Sequence, residues 1–279
     1  MMKNILLVPN KSKEEINIQT QLIKEYFEKW WYNVSVADCE QDEHGNYKYN
    51  CQGDFDYIMS IGGDGTFLQA VHSFKDKNAI FTGINMGHLG FLTQIPLQDK
   101  EHFFKQLIDN FYYKRSYNLL KVETNVENFH DECLNDVVIG RNGFARIIEL
   151  EIYVDESLLY KFSGDGVLIS TAIGSTAYNL SLGGPIVHPK SKTVVITPIA
   201  PHSVSIKPIV IPSDYKIDVK VIGGHKQSEK DAILTCDGRR NNIFLKNEDI
   251  VNISQGSKVH IADFVDNDYF KNIKDKLSN

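Results

Sequence analysis

Residues 62–66, Gly62-Gly63-Asp64-Gly65-Thr66, place one carboxylate among three glycines, directly after the apolar run Tyr57-Ile58-Met59-Ser60-Ile61. Glycines let backbone N–H groups approach a diphosphate closely, and Phe67-Leu68-Gln69-Ala70-Val71 begins a helix whose N-terminus favours anions. A loop that only held phosphate would avoid a negative charge at its centre, so Asp64 points to a metal ligand or a base. The plainer reading is a strand-to-helix turn in which the glycines serve the backbone and Asp64 caps the helix. Two better-known phosphate loops are excluded. No Gly-Lys-Ser/Thr follows, and Leu68 stands where a dinucleotide fingerprint needs its third glycine. The next strand also runs out at Asn85 rather than at an acidic residue.

Four polar clusters further along could complete such a site: Asn135-Asp136, Gly164-Asp165-Gly166, Gly174-Ser175-Thr176-Ala177-Tyr178-Asn179, and Asp237-Gly238. Each by itself reads first as turn chemistry. Ser181-Leu182-Gly183 has the tail of a hydrolase nucleophile elbow, but Asn179 occupies the place of its first glycine, which sets that chemistry aside.

Positioning these residues requires two kinds of element. Up to about residue 115, strand-like runs (4–8, 34–37, 57–61, 79–84) alternate with helical ones. The first helix opens on a capping box at Ser12-Lys13-Glu14-Glu15 and carries Ile16, Leu22, Ile23, Tyr26, Phe27 and Trp30 on one face. The last carries Phe103, Phe104, Leu107, Ile108 and Phe111. Strand–helix alternation predicts a Rossmann-like α/β domain with a parallel sheet over residues 1–115. From residue 117 onward, short β-rich runs between turn residues predict an antiparallel β domain over 116–263, and residues 264–279 read as a C-terminal helix packing back on the first domain. Trp30 and Trp31 read as core and helix-end packing, and Arg239-Arg240 as a solvated turn.

Composition bounds the function. The chain has 279 residues, 42% of them hydrophobic, enough for a real core. Thirty basic against thirty-six acidic residues give a net charge of −6 without a long single-sign block, so nucleic acid is not an expected partner. Cys39, Cys51, Cys133 and Cys236 are widely spaced and form no C-x-x-C pair, which reads as a reducing cytoplasm. The most apolar tract, 194–211, is broken by Pro198, Pro201, His202, Lys207 and Pro208, which argues against a membrane span.

Taken in order, Gly62-Gly63-Asp64-Gly65-Thr66, Gly87-His88-Leu89-Gly90-Phe91-Leu92, Leu134-Asn135-Asp136, Gly164-Asp165-Gly166, Gly174-Ser175-Thr176-Ala177-Tyr178 and Thr197-Pro198-Ile199-Ala200-Pro201-His202-Ser203 resemble the motifs of the NAD kinase family, over about residues 58–238. The first is shared with diacylglycerol-type lipid kinases and phosphofructokinase-like enzymes. The Gly174 to Tyr178 stretch is more specific. The resemblance implies Mg²⁺- and ATP-dependent phosphorylation of the 2′-hydroxyl on the adenosine ribose of NAD, with no tightly bound organic cofactor and no resident metal ligands in the chain. It also implies a role for each matching residue. Asp64 would act as base, and Gly62, Gly63, Gly65 and Thr66 would form the loop around it. Asn135 and Asp136 would hold the adenosine, with Phe91 and Leu92 lining its pocket. Thr176, Ala177, Tyr178 and Ser181 would follow the dinucleotide, and Asp165 and Ala200 would reach the nicotinamide end. A homodimer or homotetramer with shared sites is implied as well. The alternatives are a lipid kinase sharing the first loop and a non-catalytic nucleotide sensor. Three departures stand out: Asp136 where Glu is frequent, Lys207 for an arginine, and Ile173 for a proline.

Overall fold

A computed structural model describes residues 2–10, 14–87, 90–143, 147–223, 232–239, 243–266 and 268–277. The expected capping residues Ser12 and Lys13, His88 and Leu89 of the second glycine segment, and Arg240 lie outside the described residues. Two compact units divide the chain, residues 1–117 with 258–279, and residues 118–257. The second division falls inside the 15-residue strand Ile250–Phe264, so residues 258–263 belong to the first unit.

The first unit is built on a parallel sheet in the order Asn33–Val36, Asn4–Pro9, Tyr57–Gly62, Ile80–Asn85, with His260 and Ile261 pairing in parallel with Ile80 and Phe81. Every residue of Tyr57–Gly62 is buried, as an inner parallel strand covered on both faces requires. Helices Glu14–Glu28 and Lys100–Ile108 supply Ile23, Phe27, Phe104 and Leu107 to a core shared with Ile5, Leu7, Met59 and Phe264. The Phe27 and Phe104 rings meet at 4.7 Å between centroids. The two tryptophans depart from expectation. Trp30 is 51% and Trp31 82% exposed, because the chain reverses just beyond the helix with Trp31 at φ 61°, and Tyr32 takes the inward place.

From Asn4–Pro9 the chain crosses by a helix to Asn33–Val36 on one side, then returns to place Tyr57–Gly62 on the other. Strand order therefore reverses between Asn4–Pro9 and Tyr57–Gly62. The carboxyl ends of two such strands bound the crevice where open α/β sheets bind ligands, and residues 62–66 lie there.

In the second unit, a six-stranded antiparallel sheet runs in the order Ile209–Pro212, Thr193–Ile199, Gly166–Thr171, Asp136–Arg141, Ala232–Cys236, Ile243–Leu245. Ser157–Gly164, Ile148–Val154, Ile217–Gly223 and the first part of Ile250–Phe264 form further antiparallel pairs. Inward residues of the two layers, among them Val137, Ile139, Val167 and Ile196 from one and Leu150, Ile152, Val219 and Val251 from the other, merge into one core, as in a β-sandwich. No helix among the described residues is long and apolar enough to cross a membrane.

Candidate active site

The predicted site residues fall into two groups, one in each unit. In the first unit, Gly62 ends an inner strand and Gly63 precedes helix Asp64–Phe74 without a side-chain cap. The helix forms because Phe67, Ala70, Val71 and Phe74 recur at the spacing of one buried face, while Asp64 sits in the first turn, where the helix dipole favours a negative charge. Gly62 and Thr66 are buried; Gly63 and Gly65 are exposed.

The Asp64 side chain is held in place by its neighbours. Its Oδ2 accepts the N–H of Phe91 at 2.8 Å, and its Oδ1 accepts the N–H groups of Leu92 and Thr93 at 3.1 and 2.9 Å. The Thr93 hydroxyl also donates to Oδ1, at 2.9 Å, and receives a bond from Asn85 Nδ2 at 2.8 Å. Such a chain of buried partners fixes the carboxylate's orientation. Gly90 makes the approach possible, since a Cβ there would fall 1.8 Å from Asp64 Oδ1. Phe91 and Leu92, expected as pocket lining, meet Asp64 through their backbone N–H groups. Among the described residues Oδ2 makes a single hydrogen bond, from Phe91, and keeps the greater accepting capacity. Lys276, in the C-terminal helix Tyr269–Leu277, holds its Nζ 3.4 Å from the centroid of the Phe91 ring. Burial pushes this amine down to about 8, against the opposing pull of the Asp64 charge. Sequence reading missed the approach of Gly90 and Thr93 to Asp64 and the place of Lys276 on the Phe91 ring. Gly90 at least stood inside the second glycine motif; one of three lysines in a polar helix carries no such signal.

In the second unit, Asn135 and Asp136 are buried where strand Asp136–Arg141 begins. Asp237, at φ 47° in the turn after Ala232–Cys236, accepts the N–H groups of Leu134, Asn135 and Asp136 at 2.7, 2.7 and 2.9 Å. Asn135 Oδ1 is buried and lacks a hydrogen-bond partner among the described residues. A buried acceptor left open is costly, and a ligand donor would satisfy it. Burial, and then the Asp237 charge, push the Asp136 carboxyl up to about 7.

The Gly174 to Asn179 stretch sorts by face. Gly174 lies against the Asn135 backbone, where a Cβ would meet Asn135 O at 2.2 Å. Ser175 Oγ donates to Ala172 O at 2.7 Å and accepts the Val187 N–H at 3.0 Å. Asn179 is fully buried, donating to Ser175 O and accepting the Thr197 hydroxyl. These three residues build the turn. Thr176 and Ala177 are partly exposed, and Tyr178 and Ser181 are exposed on the helical turn Tyr178–Ser181.

Asp165 is engaged by Arg141, with Nε 3.0 Å from Oδ1. Ala200, exposed and at φ 45°, lines a cavity of about 400 Å³ together with Leu182, Pro198, Val204 and Lys207. A second cavity of about 520 Å³ contains none of the predicted residues. Its lining sets the four carboxylates of Glu123, Asp155, Glu156 and Asp218 against the single cation Lys216, a balance that disfavours anions, so its greater volume does not make it a dinucleotide site. Arg239 corrects the expected solvated turn, since its guanidinium pairs with Asp131.

Residues 2–115 match the model of the ATP-NAD kinase N-terminal domain, and residues 134–264 that of the ATP-NAD kinase C-terminal domain. The NAD kinase of Clostridium beijerinckii is 35% identical over 284 aligned residues, covering 100% of this chain and 96% of its own. That of Lachnoclostridium phytofermentans is 36% identical over 244 residues, 85% of each chain. The chain belongs to the NAD kinase family. As a member it is a phosphotransferase acting on an alcohol group. A crystal structure of yeast NADH kinase complexed with NADH shares the family fold, with a TM-score of 0.83 at 21% identity, covering 99% of this chain and 88% of that one.

Proposed function

We propose that the chain transfers the γ-phosphoryl group of ATP to the 2′-hydroxyl of the adenosine ribose of NAD, giving NADP and ADP, with Asp64 as the residue that receives the hydroxyl proton. The observation that carries this reading is the anchored Asp64 carboxylate, whose Oδ2 retains accepting capacity at the carboxyl edge of the parallel sheet.

A ribose hydroxyl is a far weaker acid than a carboxylic acid, so full deprotonation ahead of attack is strongly disfavoured. In a loose phosphoryl-transfer transition state the proton leaves late. The 2′-oxygen bonds to the γ-phosphorus as the bond to the bridging oxygen breaks, ADP departs, and the proton passes to Oδ2 and then to water. Asp64 therefore works first as an orienting acceptor, a task suited to a side chain locked by four hydrogen bonds. Asn135 Oδ1 takes a donor from the adenosine, and Asp136 stands beside it. Thr176, Ala177, Tyr178 and Ser181 line the path of the dinucleotide, and Asp165 and Ala200 serve its nicotinamide end. Gly62, Gly63, Gly65 and Thr66 shape the loop that meets phosphate.

Among the described residues no three His, Cys, Asp or Glu side chains converge as a metal cage. Mg²⁺ suits this site as a partner of the donor phosphates, since it takes one or two carboxylates and keeps several waters. It would neutralise phosphate charge there. The same reading carries a cytoplasmic homodimer or homotetramer, and the free cysteines Cys39, Cys51, Cys133 and Cys236 support a reducing compartment.

The test is a product assay. The pure protein is incubated with Mg-ATP and either NAD or diacylglycerol, and NADP should form from NAD alone. Phosphatidic acid as the product would establish the lipid kinase alternative. NAD binding without any phosphorylated product would establish the sensor.

A further inference from the structure

The donor brings several negative charges to residues 62–66, yet this loop has no lysine or arginine, and its one ionisable side chain is itself an anion. A cation from the far end of the chain, in the same unit, stands on the ring of Phe91, whose N–H holds the Asp64 carboxylate of this loop. Helix Tyr269–Leu277 buries none of its residues, and its Lys271 and Lys274 are exposed. Lys276 differs. It is partly buried, with its amine 3.4 Å from the Phe91 ring centroid, and the Phe91 N–H is the donor that holds Asp64 Oδ2. Burial already lowers the tendency of this amine to hold its proton, and the Asp64 carboxylate is the charge that pulls the other way.

An ammonium resting on an aromatic face has shed part of its water while gaining a weak partner. A phosphate oxygen is a far stronger one, so moving from the ring to an arriving phosphate would cost little further desolvation. We propose that Lys276 binds the donor phosphates, supplying from the C-terminal helix the positive charge that residues 62–66 lack. The inference deepens the kinase reading above and rests on it.

The experiment compares full-length wild type with Lys276→Met and Lys276→Arg. Calorimetric titration measures Mg-ATP and NAD binding separately, and steady-state kinetics measures kcat and both KM values. Lys276→Met should weaken Mg-ATP binding and raise its KM about 10- to 100-fold. NAD affinity should stay within about twofold, and Lys276→Arg should recover most of the ATP affinity, because it restores the charge. Unchanged ATP affinity in Lys276→Met would overturn the proposal. So would tighter ATP binding, which would make the lysine a plug on Asp64. Parallel loss of ATP and NAD affinity without rescue by arginine would reduce it to helix packing. A wild type that makes no NADP but binds Mg-ATP through Lys276 would refute the kinase reading alone.

Discussion

Asp64 and Asp237 each gather three consecutive backbone N–H groups, from residues 91–93 in one unit and 134–136 in the other, but the second charge beside each has the opposite sign. Over the Phe91 ring, whose N–H holds Asp64, lies the Lys276 amine; beside Asp237 lies the buried Asp136 carboxyl. One local device thus serves two electrostatic settings. A carboxylate with an attendant cation can stand near an arriving phosphate without raising the local negative charge. A carboxylate with a second carboxyl, and an open amide oxygen on Asn135, suits the neutral hydrogen-bonding groups of a nucleoside.

The sharpest way to break this contrast is Asp64→Asn. The amide keeps the shape but puts a donor against the Phe91 N–H or forfeits an Oδ1 acceptor, and it cannot take the ribose proton. Turnover should fall about 10²- to 10⁴-fold with NAD affinity retained, measured by NADP formation alongside calorimetry. Undiminished turnover would leave Asp64 as a loop brace only.

The second test concerns Asp136. Its carboxyl is raised to about 7 in the folded chain, so between 3.8 and about 7 the native state holds a proton that the unfolded chain releases. The stabilising contribution is therefore present below 3.8 and lost as pH rises through about 7, with an upper bound of about 4 kcal/mol. Denaturant melts of wild type and Asp136→Asn across this window should show the wild-type slope flattened in the variant. Equal slopes would mean that Asp237 and burial do not set this carboxyl.

Gly174→Ala should have a smaller effect, about 1–3 kcal/mol of stability with loss of NAD affinity, since the added methyl must push back the Asn135 backbone. Chemical melts and NAD titration would show it, and a neutral result would dissociate the turn from the Asn135 site. The weakest effect is expected for Arg141→Ala. The Arg141–Asp165 pair is more than a third exposed on both sides, so stability should change by about 0–1 kcal/mol. A change confined to NADP formation would show that Arg141 holds Asp165 for the dinucleotide.

Much of this was legible in the chain because it depends on short-range order. The alternation of buried strands and one-faced helices is written in residue spacing, and so is the strand-to-helix turn at Gly62 and Gly63. Asp237-Gly238 was readable as a turn but not as the anchor of residues 134–136, about a hundred positions away. The tryptophans misled because hydrophobicity alone does not register a chain reversal at Trp31.

By itself, then, the sequence determined the two kinds of unit, the ordered set of motifs and the carboxylate at the centre of the first loop, since local periodicity and residue type are enough for each. Only the tertiary structure decided what surrounds that carboxylate. The N–H groups of residues 91–93 and the Thr93 hydroxyl are brought to Asp64, and the Lys276 amine to the Phe91 ring, by chain crossings, and no spacing rule extends from residue 64 to residue 276. A hydrogen bond or a charge acts over a few ångströms of space, and distance along the chain says nothing about it.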